Sequence, residues 1–340
     1  MPVIFKVRPS AFLRHVAPFR AVPVIDLSNI ASTDPAVRRA LVDEIKHACV
    51  HVGFFYVKNH GIPEEMIEHT LAMMHNFFDL PLEAKLEIEN TKTPNFKGYS
   101  PILSGNNDPN NGGDLQEGFE FGLEEIEPDN AAKISDSGKV STLMAGANIW
   151  PAQLPEFRRA ALEYYHRALN LGKLLFPLFA LALDLPAGFF DDKTKNSAAL
   201  MRLLHYPPQV GEVDDRVIGI GAHTDWECFT ILWQQPGVQA LQVLNSSKEW
   251  INAPAIEGTL VINLGDQFAR WTNDVFTSTV HRAINRSGVR RYSIPLFFGT
   301  DYDVRLEPIP NCVSAERPAK YEVITAGEYV KSRLQATYGH

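Results

Sequence analysis

The spacing of apolar and polar residues divides the chain into a largely helical first half and a second half rich in strands. Apolar residues recur every three or four positions over residues 34–52 and about 155–184, which predicts amphipathic helices. A further helix is predicted over about 63–78. From about residue 198, short apolar stretches alternate with Gly, Pro, Asn or Asp, and this spacing predicts an antiparallel barrel or double-sheet sandwich.

Residues 92–153 show neither pattern. They contain many turn formers, among them GNNDPNNGGD at 105–114, so a long irregular region is predicted. Long loops inside compact domains are usually functional or disordered. Near the C-terminus, Thr325 and Glu328 form a Thr-x-x-Glu capping pattern, which predicts a last helix.

The composition is that of a globular protein, with 45% hydrophobic residues to form a core. The net charge is −8 without a basic block, which argues against nucleic acid or an anionic membrane as the main partner. Cys49, Cys228 and Cys312 are far apart, so we expect no disulfide framework and a reducing, cytoplasmic location. The longest apolar run, 174–183, is too short to span a bilayer.

Two residues in the segment GAHTDWECF, His223 and Asp225, have the spacing of metal ligands on a strand. Side chains two residues apart on a strand point to the same face, so an imidazole and a carboxylate could reach one ion. His281, in the segment TVHRAI on another predicted strand, offers a third ligand. Two histidines and one carboxylate with open positions are typical of non-haem Fe(II) oxygenases. On its own, His-x-Asp is also common in surface and hydrogen-bonded pairs.

A second group of residues could bind a carboxylate. Arg291 and Ser293 share one face of a predicted strand that follows His281. A guanidinium fork beside a hydroxyl suits the two oxygens of a carboxylate. Tyr206, on the predicted strand MRLLHYPP, could add a phenolic donor. The alternative is that Arg291 belongs to a cluster of solvated charges.

With these motifs, the chain resembles the isopenicillin N synthase-like branch of the 2-oxoglutarate/Fe(II)-dependent dioxygenases. The resemblance extends from about residue 22 to 338. Its segments occur in the order typical of the family: VPVIDLS, HVGFFYVKNHGIP, FFDLPLEAK, KGYSP, NIWP, HTDWECFTIL, LVINLGDQFARWTND, STVHRAINRSGVRRYSIPLFF and ITAGEYVKSRL. The resemblance implies a mainly β fold, a distorted double-stranded β-helix or jelly roll, with helices packed outside it.

The resemblance also implies residue roles and one structural unit with four parts. The implied iron ligands are His223, Asp225 and His281, and the implied 2-oxoglutarate-binding residues are Arg291, Ser293 and Tyr206. Leu204 stands where many plant members have an asparagine, so a plant-like substrate is less expected. The expected parts are an N-terminal arm (1–20), a mainly helical region with an irregular active-site cover (21–195), a jelly-roll catalytic core (196–305) and a C-terminal tail and helix (306–340).

The implied activity is the oxidation of a small molecule, expected to be a specialised metabolite, by hydroxylation, desaturation or cyclisation, with release of succinate and CO2. The expected cofactors are Fe(II), 2-oxoglutarate and O2, with ascorbate as a candidate reductant, and the expected state is a monomer without nucleic-acid or membrane partners. One alternative is a 2-oxoglutarate-independent Fe(II) oxidase of the isopenicillin N synthase or aminocyclopropane-carboxylate oxidase type. The others are a zinc hydrolase with the same three ligands and a non-catalytic binding protein.

Six residues are candidates for the substrate pocket. Alternation along the strand places Arg202 and Leu204 on the same face as Tyr206. Arg202 is expected either to contact an acidic or carbonyl-bearing substrate or to form an ion pair with a carboxylate. The aromatic candidates, each with ordinary core packing as its alternative, are Trp226, Phe297, Tyr99 and Phe121. His205 should point away from Tyr206 and is interpreted as structural.

Overall fold

The computed structural model describes residues 17–93, 95–105, 113–126, 147–209 and 219–338. Its strands are β1 (Val24–Asp26), β2 (Phe54–Lys58), β3 (Gly98–Ser100), β4 (Glu117–Gly122), β5 (Ala199–Tyr206), β6 (Ile220–His223), β7 (Phe229–Gln234), β8 (Leu241–Leu244), β9 (Trp250–Asn252), β10 (Thr259–Leu264), β11 (His281–Ala283) and β12 (Arg291–Phe298). Its α-helices are α1 (Pro35–His51), α2 (Glu64–Phe78), α3 (Leu82–Leu86), α4 (Pro155–Ala182), α5 (Asp266–Trp271) and α6 (Ala326–Tyr338).

Two β-sheets form the centre of the fold. The larger sheet has the strand order β1-β2-β10-β7-β12-β5-β4-β3, and the smaller has the order β6-β11-β8-β9. The strands pair antiparallel in the described part of both sheets, apart from the parallel β1–β2 pair. Phe54, Tyr56 and Val261 of the larger sheet pack against Leu241 and Val243 of the smaller one, so part of the core lies between the sheets.

Helices α1, α2 and α4 pack on one another and on the larger sheet. In α4, the buried residues recur at helical spacing over the whole length of the helix, which gives it a continuous apolar face. Gly172 of α4 lies directly against Phe298 of β12, where an added Cβ would be 2.3 Å from the phenyl ring. The glycine therefore allows the helix to approach the sheet closely.

The structure confirms helices in the three ranges predicted from spacing and strands in the predicted second half. The capping pattern is also confirmed, since the Thr325 backbone N–H donates to a Glu328 carboxylate oxygen and the Glu328 N–H donates to the Thr325 hydroxyl. Two differences stand out. The region predicted as irregular contributes β3 and β4, because the segment EGFEFG pairs with β5. A short helix, α5, follows β10 where none is predicted.

The predicted division into four parts stays a prediction. Most of the expected N-terminal arm, residues 1–16, lies outside the described residues, as do 106–112 and 127–146 of the expected cover. Among the helices that the structure describes, none combines the length and the apolar character needed to cross a membrane.

Candidate active site

The two histidines of the predicted metal site face each other across a strand pair. His223 ends β6 and His281 begins β11, and the two residues are direct partners in the antiparallel register. Their ring centroids are 4.3 Å apart. Side chains of directly opposed residues lie on the same face of a sheet, and on this face the His281 ring lies 5.2 Å from the ring of Phe54 in the larger sheet, measured between centroids.

Each imidazole is oriented by a hydrogen bond to a backbone carbonyl. Nδ1 of His223 lies 2.7 Å from the carbonyl oxygen of Gly221, and Nδ1 of His281 lies 3.1 Å from that of Thr279. A carbonyl can only accept, so Nδ1 is the protonated nitrogen in both rings. In the neutral form of each ring, Nε2 therefore carries no proton and is available to a metal ion.

Asp225 completes the group. One of its oxygens, Oδ1, lies 3.6 Å from Nε2 of each histidine, and the candidate ligand atoms of all three residues lie within 4.8 Å of one another. The other oxygen, Oδ2, accepts hydrogen bonds from the Thr230 hydroxyl and from Nδ2 of Asn263. The carboxylate is therefore fixed on one side and directed toward the two imidazoles on the other.

The prediction that Asp225 lies on the same strand as His223 is wrong in detail. Strand β6 ends at His223, and Asp225 lies in the loop that follows. This loop is held by α5, since the backbone N–H of Asp266 donates to the carbonyl of Asp225 at 2.8 Å. The two side chains still converge, but a turn brings them together instead of strand alternation.

Burial and mutual charge set the protonation of this group. Burial opposes ionisation of Asp225, but His281, His223 and Thr230 outweigh it and hold the pKa of the carboxyl well below its usual range. Burial, with a smaller effect of His223, lowers the pKa of His281 to about 4. Burial also opposes protonation of His223, but Asp225 outweighs it and raises the pKa of that ring. Metal binding requires a carboxylate and two neutral imidazoles, so an ion must displace the proton that the raised pKa of His223 favours.

The predicted carboxylate-binding residues lie together in the interior. Arg291 and Tyr206 are direct partners across β12 and β5, as are Ser293 and Leu204. Arg291 and Ser293 are each only 1% exposed. Nη2 of Arg291 donates to Gln234 at 3.2 Å, whereas Nε and Nη1 have no hydrogen-bond partner in the described part of the chain. A buried guanidinium with unsatisfied donors is unfavourable unless an anion binds to it, so the arrangement fits a ligand carboxylate.

A cavity of about 580 Å³ opens beside the metal-ligating group. His223 and Asp225 form part of its wall. The rest comes from residues between 90 and 105, from Asp114 and Gln116, from strands β4, β5, β6 and β12, from the loop after β6, from Tyr302 and from helix α6. Its wall includes polar side chains such as Glu120 and Arg202 and aromatic ones such as Trp226. A volume of this size suits a small organic molecule.

Comparisons with known proteins agree with this geometry. Residues 22–153 match the model of the N-terminal domain of the non-haem dioxygenases in morphine synthesis, and residues 197–300 match the 2OG-Fe(II) oxygenase superfamily. The 2-oxoglutarate-Fe(II) type oxidoreductase hxnY of Emericella nidulans is 38% identical over 324 residues, which cover 94% of this chain and 91% of the relative. This chain belongs to the 2OG-Fe(II) oxygenase superfamily.

Other relatives of this oxygenase agree. The 2-oxoglutarate-dependent dioxygenase tropC of Talaromyces stipitatus is 36% identical and covers 94% of this chain and 96% of its own length. The crystal structure of a Neurospora crassa protein in complex with alpha-KG and thymine matches with a TM-score of 0.80 at 30% identity, over 93% of this chain and 96% of that one. A putative 2OG-Fe(II) oxygenase family protein from Caulobacter crescentus matches with a TM-score of 0.78 at 29% identity, over 94% and 99%.

The family membership confirms the expected fold and enzyme class. The fold is a double-stranded β-helix with flanking helices, and the enzyme is a non-haem Fe(II)- and 2-oxoglutarate-dependent dioxygenase that uses O2. The relatives are named for their dependence on 2-oxoglutarate, which favours this class over a 2-oxoglutarate-independent oxidase, a zinc hydrolase or a binding protein.

Three of the six candidate pocket residues of this oxygenase line the cavity: Arg202, Trp226 and Phe297. Arg202 also forms the ion pair that was the alternative interpretation, because its Nε lies 2.8 Å from Oε1 of Glu120. Leu204 lies deeper, where it packs with Tyr206, Ala240 and Ala283 between the two sheets. It is therefore part of the interior near the carboxylate-binding residues and does not line the cavity.

The remaining two candidates, Tyr99 and Phe121, are in the core instead of the cavity wall. Phe121 is fully buried and packs against Trp150 and Tyr165, with ring centroids 5.0 and 5.7 Å apart. Tyr99 is 1% exposed and donates its hydroxyl to Glu117 at 2.6 Å. Both lie on strands, where alternation turns them to the face covered by helices.

His205 is structural, as predicted. Its Nδ1 lies 2.7 Å from Oε1 of Glu117, whose other oxygen binds Lys85 and Tyr99. Its ring stacks on Tyr292, with 4.9 Å between centroids. This buried polar cluster lies behind β5, on the opposite face from Tyr206.

Sequence reasoning missed several residues of the cavity wall, including Glu120, Ser100, Gln116, Glu227, Tyr302, Val330 and Leu334. Glu120 lies directly opposite Arg202 in the β4–β5 register, but the sequence does not reveal which strand pairs with β5. Alternation within EGFEFG places Glu117 and Glu120 on opposite faces of the strand. This pattern could have predicted that one of the two carboxylates faces the interior of the fold. Val330 and Leu334 come from α6, whose position depends on tertiary packing.

Proposed function

We propose that His223, Asp225 and His281 bind the Fe(II) of this dioxygenase. Support comes from their converging ligand atoms and from the donor set itself, two imidazole nitrogens and one carboxylate oxygen. This set leaves coordination positions open on the metal, as the family's chemistry requires. Thr230 and Asn263 hold Oδ2 of Asp225, so that Oδ1 is directed toward the ion.

Arg291, Ser293 and Tyr206 are proposed to bind the carboxylate of 2-oxoglutarate that lies farther from the iron. The observation that supports this role best is the buried Arg291 guanidinium, which has unsatisfied donors and no carboxylate partner among the described residues. Ser293 follows on the same face of β12 and supplies a hydroxyl. Two parallel N–H donors of a guanidinium match a carboxylate in geometry as well as in charge.

The protein's part in the reaction is binding, orientation and exclusion of water. When bound, Fe(II) and 2-oxoglutarate together supply the oxidising chemistry, with succinate and CO2 as products. Arg291, Ser293 and Tyr206 would hold the carboxylate of 2-oxoglutarate that lies farther from the iron, and the histidine–aspartate group would hold the metal ion to which the other end binds. The apolar residues Leu204, Ala240 and Ala283 lie between the sheets beside Tyr206, which keeps this part of the interior dry.

The proposed substrate is a small organic molecule, and a specialised metabolite is the class we favour. The cavity beside the iron group has the size for one. The solved Neurospora crassa relative was crystallised with alpha-KG together with thymine or with 5-formyluracil, both of them small molecules. Hydroxylation, desaturation and cyclisation are the candidate outcomes of the reaction.

Succinate formation tests this proposal without knowledge of the substrate. Purified protein with Fe(II), 2-oxoglutarate and O2 should release succinate slowly, even in the absence of a substrate. The same protein loaded with Zn(II) should release none. Activity with Zn(II) under anaerobic conditions would instead support a hydrolase, and Fe(II)-dependent O2 consumption without succinate would support an oxidase of the isopenicillin N synthase type.

A further inference from the structure

A buried ion pair forms part of the cavity wall beside the metal-ligating group. Glu120 of β4 and Arg202 of β5 are direct partners in the antiparallel register, with 2.8 Å between Oε1 and Nε. Their side chains are only 9% and 15% exposed, and both line the same cavity as His223 and Asp225. The Glu120 carboxylate and the Arg202 guanidinium therefore lie side by side, where a molecule in the cavity can contact both.

We propose that this pair selects a substrate with a neutral edge on which an N–H donor lies next to a carbonyl acceptor, as in a lactam, a cyclic imide or a pyrimidine. The Glu120 carboxylate would accept from the N–H, and the Arg202 guanidinium would donate to the carbonyl. This inference rests on the proposed function, since it concerns the substrate of the same site.

Stability does not account for an ion pair at this position. Removing two charges from water costs several kcal/mol for each ion, and buried pairs are often no more stable than apolar residues of similar size. A guanidinium has five N–H donors and an ionised carboxylate accepts about four hydrogen bonds, so the pair can serve a ligand while it persists. A role in recognition explains why polar groups are placed here.

The charges of the pair discriminate among ligand classes. A free carboxylate would compete with Glu120 for Arg202 and be repelled by Glu120. A protonated amine would meet the opposite difficulty, because Arg202 repels it and already partners Glu120. A neutral donor–acceptor edge satisfies both side chains and leaves their mutual attraction intact, so it is the ligand chemistry that the pair fits best.

Neighbouring residues fix the acid and supply apolar ring faces. Glu120 accepts a hydrogen bond from the Ser100 side chain, and Ser100 in turn accepts from Nδ2 of Asn90 at 2.9 Å. The carboxylate is thus held in place before a ligand arrives, which reduces the entropy lost on binding. Trp226 and Phe297 line the same cavity, and aromatic side chains pack well against flat rings.

Uracil, a small flat ring with this edge, is a suitable probe. The protein is first loaded anaerobically with Fe(II) and 2-oxoglutarate, and the visible charge-transfer band of the chelated keto acid is recorded. Uracil is then added, followed in separate samples by 1,3-dimethyluracil, benzoate and benzylamine. Uracil should perturb the band with at least a tenfold lower apparent Kd than 1,3-dimethyluracil, whose N–H groups are blocked, and than either charged probe.

The double variant Glu120→Gln with Arg202→Gln tests whether the pair produces this preference. It should still form the band, because neither residue belongs to the proposed iron or 2-oxoglutarate site, but the preference for uracil should fall to less than threefold. Arg158→Gln is the matched control, since Arg158 pairs with Glu124 at 2.7 Å outside the cavity wall, and it should keep the preference.

Two results would overturn the inference while the proposed function stands. In one, the band forms but uracil leaves it unchanged or binds no better than 1,3-dimethyluracil. In the other, the double variant keeps the preference of the parent protein. Absence of the band from the parent protein itself would contradict the proposed function, and the inference would fall with it.

Discussion

The guanidinium of Arg291 lies over the ring of Tyr206, with 4.6 Å between Cζ and the ring centroid. The two residues are direct partners across β12 and β5, so the register of the sheet sets this contact. A ring face attracts a cation but brings no negative charge, and it therefore holds the guanidinium in place without neutralising it. This contact supports the proposal that Arg291 binds a carboxylate of 2-oxoglutarate.

Replacement of Arg291 by glutamine should weaken 2-oxoglutarate binding. Hydrogen bonds to charged groups are worth about 1.5–3 kcal/mol, so the KM for 2-oxoglutarate should rise about 10–100-fold. The neighbouring Arg290 is exposed and pairs with Asp79 at the surface, which makes Arg290→Gln a matched control with little expected effect. The KM is measured from initial rates of succinate formation. Equal values in Arg291→Gln and the parent protein would remove Arg291 from the co-substrate site.

Loss of the Thr230 hydroxyl should weaken iron binding without direct removal of a ligand. Thr230 donates to Oδ2 of Asp225. Removal of a hydrogen-bond partner of a metal ligand typically lowers the metal affinity by about 10–100-fold. We therefore expect Thr230→Val to raise the Kd for Fe(II) by about this factor, as measured by competition with a chelator. Thr70→Val removes an equally buried hydroxyl far from the metal group and should leave the Kd unchanged. Similar values in both variants would contradict an orienting role for Thr230.

Helix α6 is linked to the loops of the metal-ligating group through one carboxylate. Asp266 accepts hydrogen bonds from Thr224 and Ser278, which flank the candidate ligands, and from the Tyr329 hydroxyl of α6 at 2.9 Å. Val330 of the same helix lines the cavity. Removal of the Tyr329 hydroxyl should therefore increase the frequency with which α6 opens locally and separates from the rest of the cavity wall.

The variant Tyr329→Phe loses one hydrogen bond worth about 1 kcal/mol, so local opening of α6 should increase about fivefold. Hydrogen exchange of the α6 amides, followed by mass spectrometry, measures this change. Tyr321→Phe is the control, because the Tyr321 hydroxyl donates to Asp274, away from the cavity wall. Faster exchange of α6 in both variants, or in neither, would show that the Asp266 contact does not hold the helix.

The buried pair of Lys85 and Glu117 should stabilise the fold in a pH-dependent way. Burial raises the pKa of Glu117, but hydrogen bonds from His205, Lys85 and Tyr99 outweigh it, and the net shift is downward. A carboxyl whose pKa is lower in the folded state stabilises the fold above its unfolded pKa of about 4.3, and this contribution is lost as the pH falls through the folded value.

We expect Glu117→Gln to lower the free energy of unfolding by about 3–5 kcal/mol at neutral pH, because Lys85 would remain buried without a counter-charge. Acidification should destabilise the parent protein more than the variant, so the difference should shrink below about pH 4. Denaturant unfolding at several pH values measures both effects. Asp192→Asn, at a surface pair with Lys193, is the control and should leave the free energy of unfolding nearly unchanged. A constant difference across the pH range would contradict the ionic role of Glu117.

The sequence was sufficient for the long helices and for the strands of the second half because each has a local signal. Helical spacing located α1 and α4, and strand alternation placed Arg291 and Ser293 on one face. The pairing of His281 with His223 depends on strand register, which the spacing of apolar residues does not specify. The segment TVHRAI offered His281 as a third ligand, and the family's order of segments supported that choice.

The cavity wall could not be predicted in the same way. Tyr99 and Phe121 come from a region that the sequence describes as irregular, and the unpredicted strands β3 and β4 turn them to the helix-covered face. Glu120 faces the interior because β4 pairs with β5, a contact between residues about 80 positions apart in the chain. Pocket residues on paired strands follow from tertiary contacts and not from local pattern.

The most direct test of the central claim is anaerobic titration of the protein with Fe(II) in the presence of 2-oxoglutarate. A visible charge-transfer band should appear in the parent protein and in His69→Ala, which removes an exposed histidine of α2, and should be absent from His223→Ala. That result would establish both the co-substrate and the metal group. A band of equal strength in His223→Ala, or Fe(II) binding to the parent protein without a band, would contradict the account.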